Sequence, residues 1–322
     1  MMRQENRNHR IRERERFRRM ERRRRRVRRI RRAIVCMFSL MMILILLGII
    51  THMLKPFREM PNTDRIKHAV VAFEQENILG ETDSESNMKY EIPWLDELKA
   101  MEKQDERIRG VVEHAEEYPE KVLKMLAKNI ETLDFVLNYF DKKDLPCSET
   151  IGELEMNGEI PLLIQWDERW GYGSYGSSMV AVSGCGPTCI AMVASGLTGR
   201  TDITPYSVAS YSEENGFLTP ELDTSWDLMT YGCEVFGITG TMLGLDEAAM
   251  ANTLNGGCPI ICSMGPGDFT ESGHFIVLTS YEAGAFHVND PNSRIRSGQI
   301  WSYETLKDQI VNMWYYTVTG DD

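Results

Sequence analysis

Hydrophobic and polar positions divide the chain into stretches of different texture, and the first clear stretch is purely apolar. Residues 33–54 read AIVCMFSLMMILILLGIITHML and carry no formal charge over 22 positions. A helix of that length measures about 33 Å, which spans the roughly 30 Å hydrocarbon layer of a bilayer. The pattern therefore predicts a transmembrane helix at residues 33–54.

The next two stretches are a linker and a helical region. Residues 55–91 are polar without a clear period, and we interpret them as a linker. Beyond them, apolar positions recur every three or four residues, which is the period of an amphipathic helix. These positions are Trp94, Leu98, Met101, Ile108, Val112, Ala115, Val122, Met125, Leu126, Leu133, Val136, Leu137 and Phe140. We predict a helical spacer region at residues 92–158 that packs on itself or on the next domain. No heptad pattern persists, which disfavours a coiled-coil stalk.

Residues 159–322 have a third texture, in which glycine is frequent and short apolar runs alternate with helical signals. The pattern predicts strands at residues 259–264, 274–281, 285–289 and 314–318, with a hairpin turn at 282–284. It predicts helices over residues 205–216 and 246–255, a capping box from Thr224 to Asp227, and a last helix capped by Ser302. We expect one domain of mixed α+β class at residues 159–322.

Charge is divided sharply between the two sides of the apolar stretch. Residues 1–32 hold 17 arginines and four glutamates, a net +13, whereas the other 290 residues carry a net −25. By the positive-inside rule, the Arg-rich segment stays in the cytoplasm and the acidic remainder lies outside the cell. We therefore expect a single-pass protein of the cell membrane. With 42% hydrophobic and 26% charged residues overall, the chain is able to bury a core and is not globally disordered.

Two other interpretations of this N-terminal part are weaker. A cleaved signal peptide would have a shorter apolar core and a small-residue cleavage site, and residues 51–56 (THMLKP) offer none. The arginines would attract nucleic acid by charge alone, but no aromatic interleaving or fold signature accompanies them. We expect them to orient the span and to touch anionic lipid head groups, with no nucleic acid as a partner.

The seven cysteines give no metal or cofactor signature. The sequence contains no Cys-x-x-Cys pair and no Cys/His spacing typical of zinc sites, so we expect neither a metal nor a cofactor. One cysteine lies in the predicted span and six lie beyond it. Cys185, Cys189, Cys258 and Cys262 occur in apolar contexts typical of buried free thiols. Disulfide pairing cannot be read from the sequence.

Cys185 differs from the other cysteines in its setting. Residues 183–195 read SGCGPTCIAMVAS, which predicts a helix with Pro187 in its first turn, closed by Gly196. Cys185 is therefore expected at the helix N-terminus, where the macrodipole and free N–H groups favour the nucleophilic thiolate. The same N–H groups are able to hold an oxyanion. The alternative interpretation is a small apolar residue in a tight turn.

A nucleophilic cysteine needs a base, and the histidines offer two within the same domain, His274 and His287. His274 follows a glycine-rich loop at residues 265–273 and opens an apolar strand, so we expect it to face a cleft. His287 is expected to be a surface or cross-strand residue. The sequence therefore favours His274 as the base.

Across the predicted hairpin, His274 faces residues 290–292, and cross-strand neighbours lie about 5 Å apart. Asp290 is therefore able to orient the imidazole, as the third member of a catalytic triad does. Strand alternation places Asp290 on the same face as the buried apolar residues and Asn289 on the opposite face. Asn289 and Asn292 remain the alternatives.

Three motifs together resemble a known family. GCGPT at residues 184–188 opens a helix, GHFIVL at 273–278 opens a strand, and VNDPNS follows at 288–293. This order resembles the papain-like cysteine peptidases of the double-glycine-leader peptidase type, and more closely their stand-alone, exported relatives in Gram-positive bacteria. The resemblance covers about residues 159–318. It implies a helix carrying Cys185 as nucleophile, packed on an antiparallel sheet that carries His274 as base and Asp290 as orienting residue.

The resemblance also implies a glutamine upstream of the cysteine, whose amide helps to hold the oxyanion. Gln165 fits the flanking pattern but lies twenty residues before Cys185, where papain-like enzymes often have about six. A glycine-rich insertion at residues 171–178 would have to loop out to restore the geometry. The transporter attached to leader-processing members is lacking here, so cleavage of bacteriocin leaders is not implied.

The leading hypothesis is a membrane-anchored, exocytoplasmic cysteine peptidase that acts on peptides or proteins through a thioester acyl-enzyme. One alternative keeps the catalytic residues but acts on peptidoglycan amides or transfers acyl groups. Another is a catalytically silent module that binds peptide in its cleft.

Overall fold

A computed structural model of the chain describes residue 92, residues 94–155 and residues 159–320. The Arg-rich segment, the transmembrane helix and the linker predicted within residues 1–91 therefore lie outside the described residues. Within the described ranges, no helix is both long enough and apolar enough to cross a membrane. The described residues all belong to one compact unit.

Short helices form the part of the described chain that precedes residue 143, as the periodicity predicts. They are α1 (Leu95–Met101), α2 (Ile108–Glu113), α3 (Glu120–Lys128), α4 (Leu133–Leu137) and α5 (Tyr139–Lys142). Their apolar faces form one buried cluster with residues of the next domain, including Ile164, Trp166 and Tyr172. Tyr172 stacks on Phe135 with 4.0 Å between ring centroids and donates its hydroxyl to the Phe135 carbonyl at 2.7 Å. The helical region thus packs on the following domain.

An antiparallel sheet dominates the second half of the described chain. Its strands are β3 (Ile238–Met242), β4 (Ile260–Met264), β5 (His274–Glu282), β6 (Ala285–Asn289), β7 (Ile300–Ser302) and β8 (Ile310–Val318). They pair in the order β3-β8-β4-β5-β6-β7. A separate small hairpin comprises β1 (Ser174–Tyr175) and β2 (Ser178–Met179). The predicted α+β class with an antiparallel sheet is confirmed.

The remaining helices lie before, between and after these strands. They are α6 (Val180–Ser183), α7 (Cys185–Thr198), α8 (Pro205–Glu214), α9 (Asp227–Thr230), α10 (Glu247–Asn255), α11 (Arg294–Ser297) and α12 (Tyr303–Leu306). Ten consecutive residues of α7, from Gly186 to Ser195, are buried. A helix that is buried on every side lies inside a hydrophobic core. Helix α7 lies in the core on one face of the sheet.

The sheet has an apolar core on each side because successive strand residues point to opposite faces. Ile261 and Val277 join the core that contains α7. Their neighbours Ile260 and Ile276 join the core on the other face, which Met250 of α10 also enters. Burial on both faces explains why β4 and the first half of β5 read as continuous apolar runs.

Helix starts are the most accurate of the sequence expectations. The side chains of Thr204, Asp246 and Ser302 each accept a hydrogen bond from a backbone N–H in the first turn of the following helix. The capping box expected at Thr224 is wrong. The Thr224 hydroxyl lies 3.1 Å from that of Tyr175, and the first N–H of α9, that of Asp227, is bound by Ser225 instead.

Several boundaries also differ from the expectations. Helix α7 runs to Thr198 and ends at Gly199, which has a left-handed φ of 72°, rather than at Gly196. Gly196 is required for packing, since a Cβ there would lie 2.6 Å from the Ile160 side chain. Strand β8 begins before residue 314, and β1, β2, β3 and β7 are additional to the predicted strands. Cys258, expected to be buried, is partly exposed, while Cys189 and Cys262 are buried.

Candidate active site

Cys185 is the first residue of α7, with Gly184 as N-cap. The Gly184 carbonyl accepts the first helical bond from the Thr188 N–H at 2.9 Å. N–H groups in the first turn have no partner within the helix, so they are free to face an acyl oxygen. Cys185 is partly exposed, in contrast to Cys189 one turn later, whose thiol is buried and whose pKa burial raises well above its usual range.

The residue after the cysteine has to be glycine for reasons of space. A Cβ at Gly186 would lie 2.8 Å from the Cβ of Thr224, so a larger residue would displace the neighbouring segment. The Thr224 hydroxyl is within hydrogen-bonding distance of buried Tyr175 at 3.1 Å. Tight packing therefore holds the start of α7 at one side of the cleft.

His274 opens β5, and strand pairing places it opposite Met264. Its ring Nε2 lies 2.8 Å from Oδ1 of Asp290, and its side chain lines the same cavity as Cys185. The side chain is 7% exposed, enough to reach the cleft while it remains enclosed. The structure thus places Cys185 and His274 at one cavity, with Asp290 hydrogen-bonded to the imidazole.

The imidazole is electrostatically biased toward its protonated form. Burial by itself lowers the pKa of His274, but the negative charge of Asp290 and the hydrogen bonds to Asp290 and Cys185 outweigh this effect and raise the pKa to about 10. Burial also raises the pKa of Asp290, but the nearby His274 and Arg296 outweigh it and hold that pKa below its usual range. Both shifts favour an imidazolium–carboxylate pair.

Asp290 lies immediately after β6 and is fully buried. Phe286, Val288 and Asp290 are buried in alternation, as predicted. Asn289 points the other way, and its amide donates to the Ile160 carbonyl at 3.0 Å. The Asn292 backbone N–H donates to Asp290 Oδ1 at 2.8 Å, so this carboxylate oxygen serves both the imidazole and the backbone.

Gln165 lines the same cavity as Cys185 and His274, a space of about 890 Å³. Its amide nitrogen donates to the Ala181 carbonyl at 2.7 Å, and its backbone N–H donates to the Pro291 carbonyl at 2.7 Å. The insertion between Gln165 and Cys185 contains the β1–β2 hairpin, and Tyr172 and Tyr175 of this insertion are buried. Backbone bonds from Val180 to Gly173 and from Ala181 to Gly171 close it, each at 2.9 Å.

Comparison with known proteins identifies the family of this domain. The model of the Peptidase_C39 like family matches residues 158–321, about half of the chain. The chain belongs to that family. A search of curated proteins finds no significant match.

Two solved structures resemble the chain at a distance. The peptidase domain of Streptococcus ComA, described as a bi-functional ABC transporter involved in a quorum sensing pathway, has 16% identity and a TM-score of 0.31. That match covers 42% of this chain and 93% of the other. A structure described as a C39-like peptidase from Bacillus anthracis has 12% identity and a TM-score of 0.29, covering 50% of this chain and 96% of the other.

Arg296 is the main residue of the Peptidase_C39 like domain that the sequence analysis missed. Its Nε donates to Oδ2 of Asp290 at 2.5 Å, and its Nη2 is buried without a hydrogen-bond partner among the described residues. The sequence offers little to indicate a role for Arg296, beyond its being one of five basic residues in an acidic domain. Connecting it with Asp290 requires knowledge of the turn between β6 and α11.

Metal chemistry has no ready site in the described part of the chain, where no group of three or more His, Cys, Asp or Glu side chains is placed to hold an ion. The six cysteines of that part are free thiols. Burial raises the pKa of the Cys233, Cys262 and Cys147 thiols. These thiols are therefore expected to be poor nucleophiles near neutral pH.

Proposed function

We propose that the chain is a cysteine peptidase in which Cys185 is the nucleophile, His274 the general base and acid, and Asp290 the orienting carboxylate. The observation that carries the proposal is the position of His274, which is hydrogen-bonded to Asp290 and shares a cleft with Cys185 at the start of α7. Membership of the Peptidase_C39 like family supports the same chemistry.

The reaction follows from the two ring nitrogens of the imidazole. Asp290 binds Nε2, which leaves Nδ1 for the Cys185 thiol. Nδ1 holds the Cys185 proton as imidazolium while the Sγ thiolate attacks the substrate carbonyl, and imidazolium then gives that proton to the departing amine. The resulting thioester is hydrolysed by water that the neutral imidazole activates, which returns the free thiol. Asp290 keeps the ring oriented and stabilises imidazolium without becoming protonated itself.

Two kinds of donor are available for the oxyanion of the tetrahedral intermediate. Backbone N–H groups at the start of α7 lie next to the Cys185 side chain. The Gln165 amide uses one N–H for Ala181 and retains a second for the substrate. Donors that are already in place before charge develops stabilise the transition state more than the ground state.

For localisation, we propose a single-pass membrane protein with the catalytic domain outside the cell. The support is the +13 segment at residues 1–32 beside an uncharged stretch of 22 residues at 33–54. In intact protoplasts, added protease should remove a C-terminal tag and spare an N-terminal one. A protected C-terminal tag would overturn this orientation.

The experiment that tests the function uses the purified full-length protein in detergent. A peptide library and a muropeptide digest are incubated with wild type and Cys185→Ala, and the products are identified by mass spectrometry. We expect cleavage of library peptides by wild type alone. Cleavage of muropeptides alone would indicate a peptidoglycan amide hydrolase. If Cys185 does not react with an active-site thiol electrophile and nothing is cleaved or transferred, the domain is a binding module.

A further inference from the structure

One side chain of the helical region, Glu131, binds the segment that follows Asp290, more than 160 positions away in sequence. Glu131 Oε1 accepts the Ser293 hydroxyl at 2.5 Å. Its Oε2 accepts the backbone N–H of Arg294 at 2.8 Å and that of Ile295 at 3.3 Å. Hydrogen bonds to an ionised carboxylate are roughly twice as strong as neutral ones. A single carboxylate thus fixes three consecutive residues at the start of α11.

The segment fixed by Glu131 in turn holds the orienting carboxylate. Arg296 of α11 donates its Nε to Asp290 Oδ2, and its own backbone N–H donates to the Ser293 hydroxyl oxygen at 3.0 Å. Ser297, at the end of α11, accepts the Asp290 backbone N–H at 2.9 Å. Displacement of α11 would therefore move both the side-chain and the backbone partners of Asp290.

Two further bonds hold the turn between Asp290 and α11. The Asn129 side chain, from the helical region, donates to the Asn292 carbonyl at 2.6 Å, and the Trp166 indole donates to the same oxygen at 3.1 Å. Asn129 also accepts the Glu131 backbone N–H at 3.0 Å. The helical region therefore contacts this turn through a connected set of polar groups rather than through an isolated contact.

We propose that Glu131 is a positioning residue for the catalytic triad, acting on Asp290 through α11 and Arg296. It lies outside the residues matched by the family model, so the helical region completes a site that the Peptidase_C39 like domain alone does not. The inference rests on the proposed function, because it takes the Cys185–His274–Asp290 series as the catalytic one. It adds a role for residues that the sequence indicates only as a spacer.

The test replaces Glu131 by Gln in the full-length protein, which keeps the shape and removes the charge. The rate of Cys185 alkylation by iodoacetamide is measured across pH, together with kcat/KM for a cleaved library peptide. Because weaker support of Asp290 lowers the pKa of imidazolium, we expect the alkaline limb of the kcat/KM profile to move to lower pH. We also expect kcat/KM to fall roughly ten- to hundredfold, as misplacement of catalytic groups does.

Two controls separate positioning from general damage. Asp134→Asn removes another carboxylate of the helical region. Asp134 pairs with Arg107 at 2.7 Å and not with α11, so this variant should change neither the pH profile of alkylation nor that of kcat/KM. In the Asp290→Ala background, Glu131→Gln should have little further effect, because the two residues act through one chain of contacts. Equal effects of Glu131→Gln in both backgrounds, or an unshifted profile, would overturn the proposal. Alkylation needs no substrate, so it tests Glu131 even if no peptide is cleaved.

A second observation, independent of Glu131, concerns the charge of the cavity. Lys121, Lys124 and Lys128 follow one another on a single face of α3 and line the cavity that also contains Cys185 and His274. The final domain is strongly acidic, with a net −14 over residues 160–322. The helical region therefore supplies a basic wall, defined as these three lysines, on the α3 side of a cavity that is also lined by acidic residues of the final domain, namely Glu221, Asp223, Asp268 and Glu271.

Each lysine of the basic wall has a polar or aromatic neighbour. Lys128 pairs with Glu271 of the loop before β5 at 3.0 Å, and Lys121 donates to the Ser177 carbonyl at 3.4 Å. Lys124 and Lys128 both lie over the Trp94 ring, with Nζ at 5.5 Å and 5.4 Å from its centroid. The aromatic ring attracts both cations, which favours these positions of the two lysines.

We infer that the basic wall selects substrates with acidic side chains on the part of the peptide that lies along α3. Such selection deepens the proposed peptidase function and again rests on it. Binding is tested on the full-length Cys185→Ala variant with two labelled decapeptides, (Ala-Glu)5 and (Ala-Gln)5, by fluorescence anisotropy at low and high salt. We expect the acidic peptide to bind about three- to tenfold more tightly at low salt, an effect that salt weakens.

The matched variants decide whether the wall causes the preference. Replacing the three lysines by Gln in the Cys185→Ala background should abolish the preference, whereas Lys99→Gln, on α1 and away from the cavity, should retain it. Equal binding of the two peptides, no binding of either, or a preference that survives the triple replacement would overturn the inference. Since binding is measured without turnover, the outcome does not depend on peptidase activity.

Discussion

Cys185 shares a cavity with His274 and Asp290 binds its imidazole, and these two sides of the site are built in different ways. Cys185 begins α7, whose next ten residues are buried in the core on one face of the sheet. Asp290 follows β6 and is held by α11, a helix of four residues that buries no residue itself. The first side depends on local sequence and packing, and the second depends on hydrogen bonds between distant segments.

This difference predicts where the site is robust and where it is sensitive. A long buried helix loses its position only if the core is disrupted, because many contacts hold it. The turn at residues 290–297 is held by a small number of polar bonds, including those from Glu131 and Asn129. Substitutions on the Asp290 side should therefore change the chemistry while the fold survives.

The largest expected effect separates two cysteines on the same helix. Cys185→Ala should abolish alkylation by low iodoacetamide near neutral pH and lower kcat at least about a thousandfold, because the nucleophile is removed. Cys189→Ala should leave both largely intact, since that thiol is buried and its pKa is raised by burial. Peptide mapping by mass spectrometry identifies the labelled thiols, so half-exposed Cys147 and Cys258 are resolved as well. Equal labelling at Cys185 and Cys189 would refute the assignment.

The contrast between local sequence on the Cys185 side and distant contacts on the Asp290 side also explains how much could be predicted from the sequence. The helix of Cys185, the strand of His274 and the hairpin to Asp290 were predictable, because glycine, proline and apolar alternation are local signals. Gln165 needed the family resemblance, since it lies twenty positions before Cys185 and the segment between them includes the β1–β2 hairpin. Its placement in the cavity follows from the way that hairpin closes.

Other features could not be read from local patterns. Arg296 and Glu131 act through contacts that exist only after α11 and the helical region pack together, and no periodicity connects them. The error at Thr224 has the same origin, since its hydroxyl is taken by Tyr175 from another segment. At Gly196, a glycine that looked like a helix end is explained by close packing on Ile160.

A second prediction compares neighbours on β6 and its extension. Asp290→Ala removes the carboxylate that orients imidazole, so kcat should fall roughly a thousandfold. Asn289→Ala loses one hydrogen bond to the Ile160 carbonyl, outside the cleft, and should cost about 1 kcal/mol of stability with little change in kcat. Turnover and thermal melting are measured on both variants. Wild-type turnover in Asp290→Ala, or a collapse confined to Asn289→Ala, would transfer the role to the amide.

A third prediction concerns the oxyanion. Gln165→Ala should lower kcat about a hundredfold with a small effect on KM, because the amide acts on charge that develops in the transition state. The control is Gln299→Ala, an exposed glutamine before β7 that does not line the cavity. Steady-state kinetics on the cleaved library peptide provide the comparison. A change in KM alone would show that Gln165 binds substrate and does not stabilise the oxyanion.

The smallest expected effect concerns the His274–Asp290 pair and is measured as the pH dependence of the free energy of unfolding. The pKa of His274 is raised from its ordinary value of 6.5 to about 10, mainly by Asp290 against the effect of burial. The stabilisation from protonated His274 is therefore complete below pH 6.5 and is lost as pH rises through about 10.

In Asp290→Asn the raised pKa is lost, so between pH 7 and pH 9.5 wild type should lose on the order of 1–2 kcal/mol more unfolding free energy than the variant. Urea unfolding at both pH values measures this difference, and subtraction of the variant removes contributions from other ionising groups. Parallel losses in the two proteins would show that Asp290 does not stabilise imidazolium.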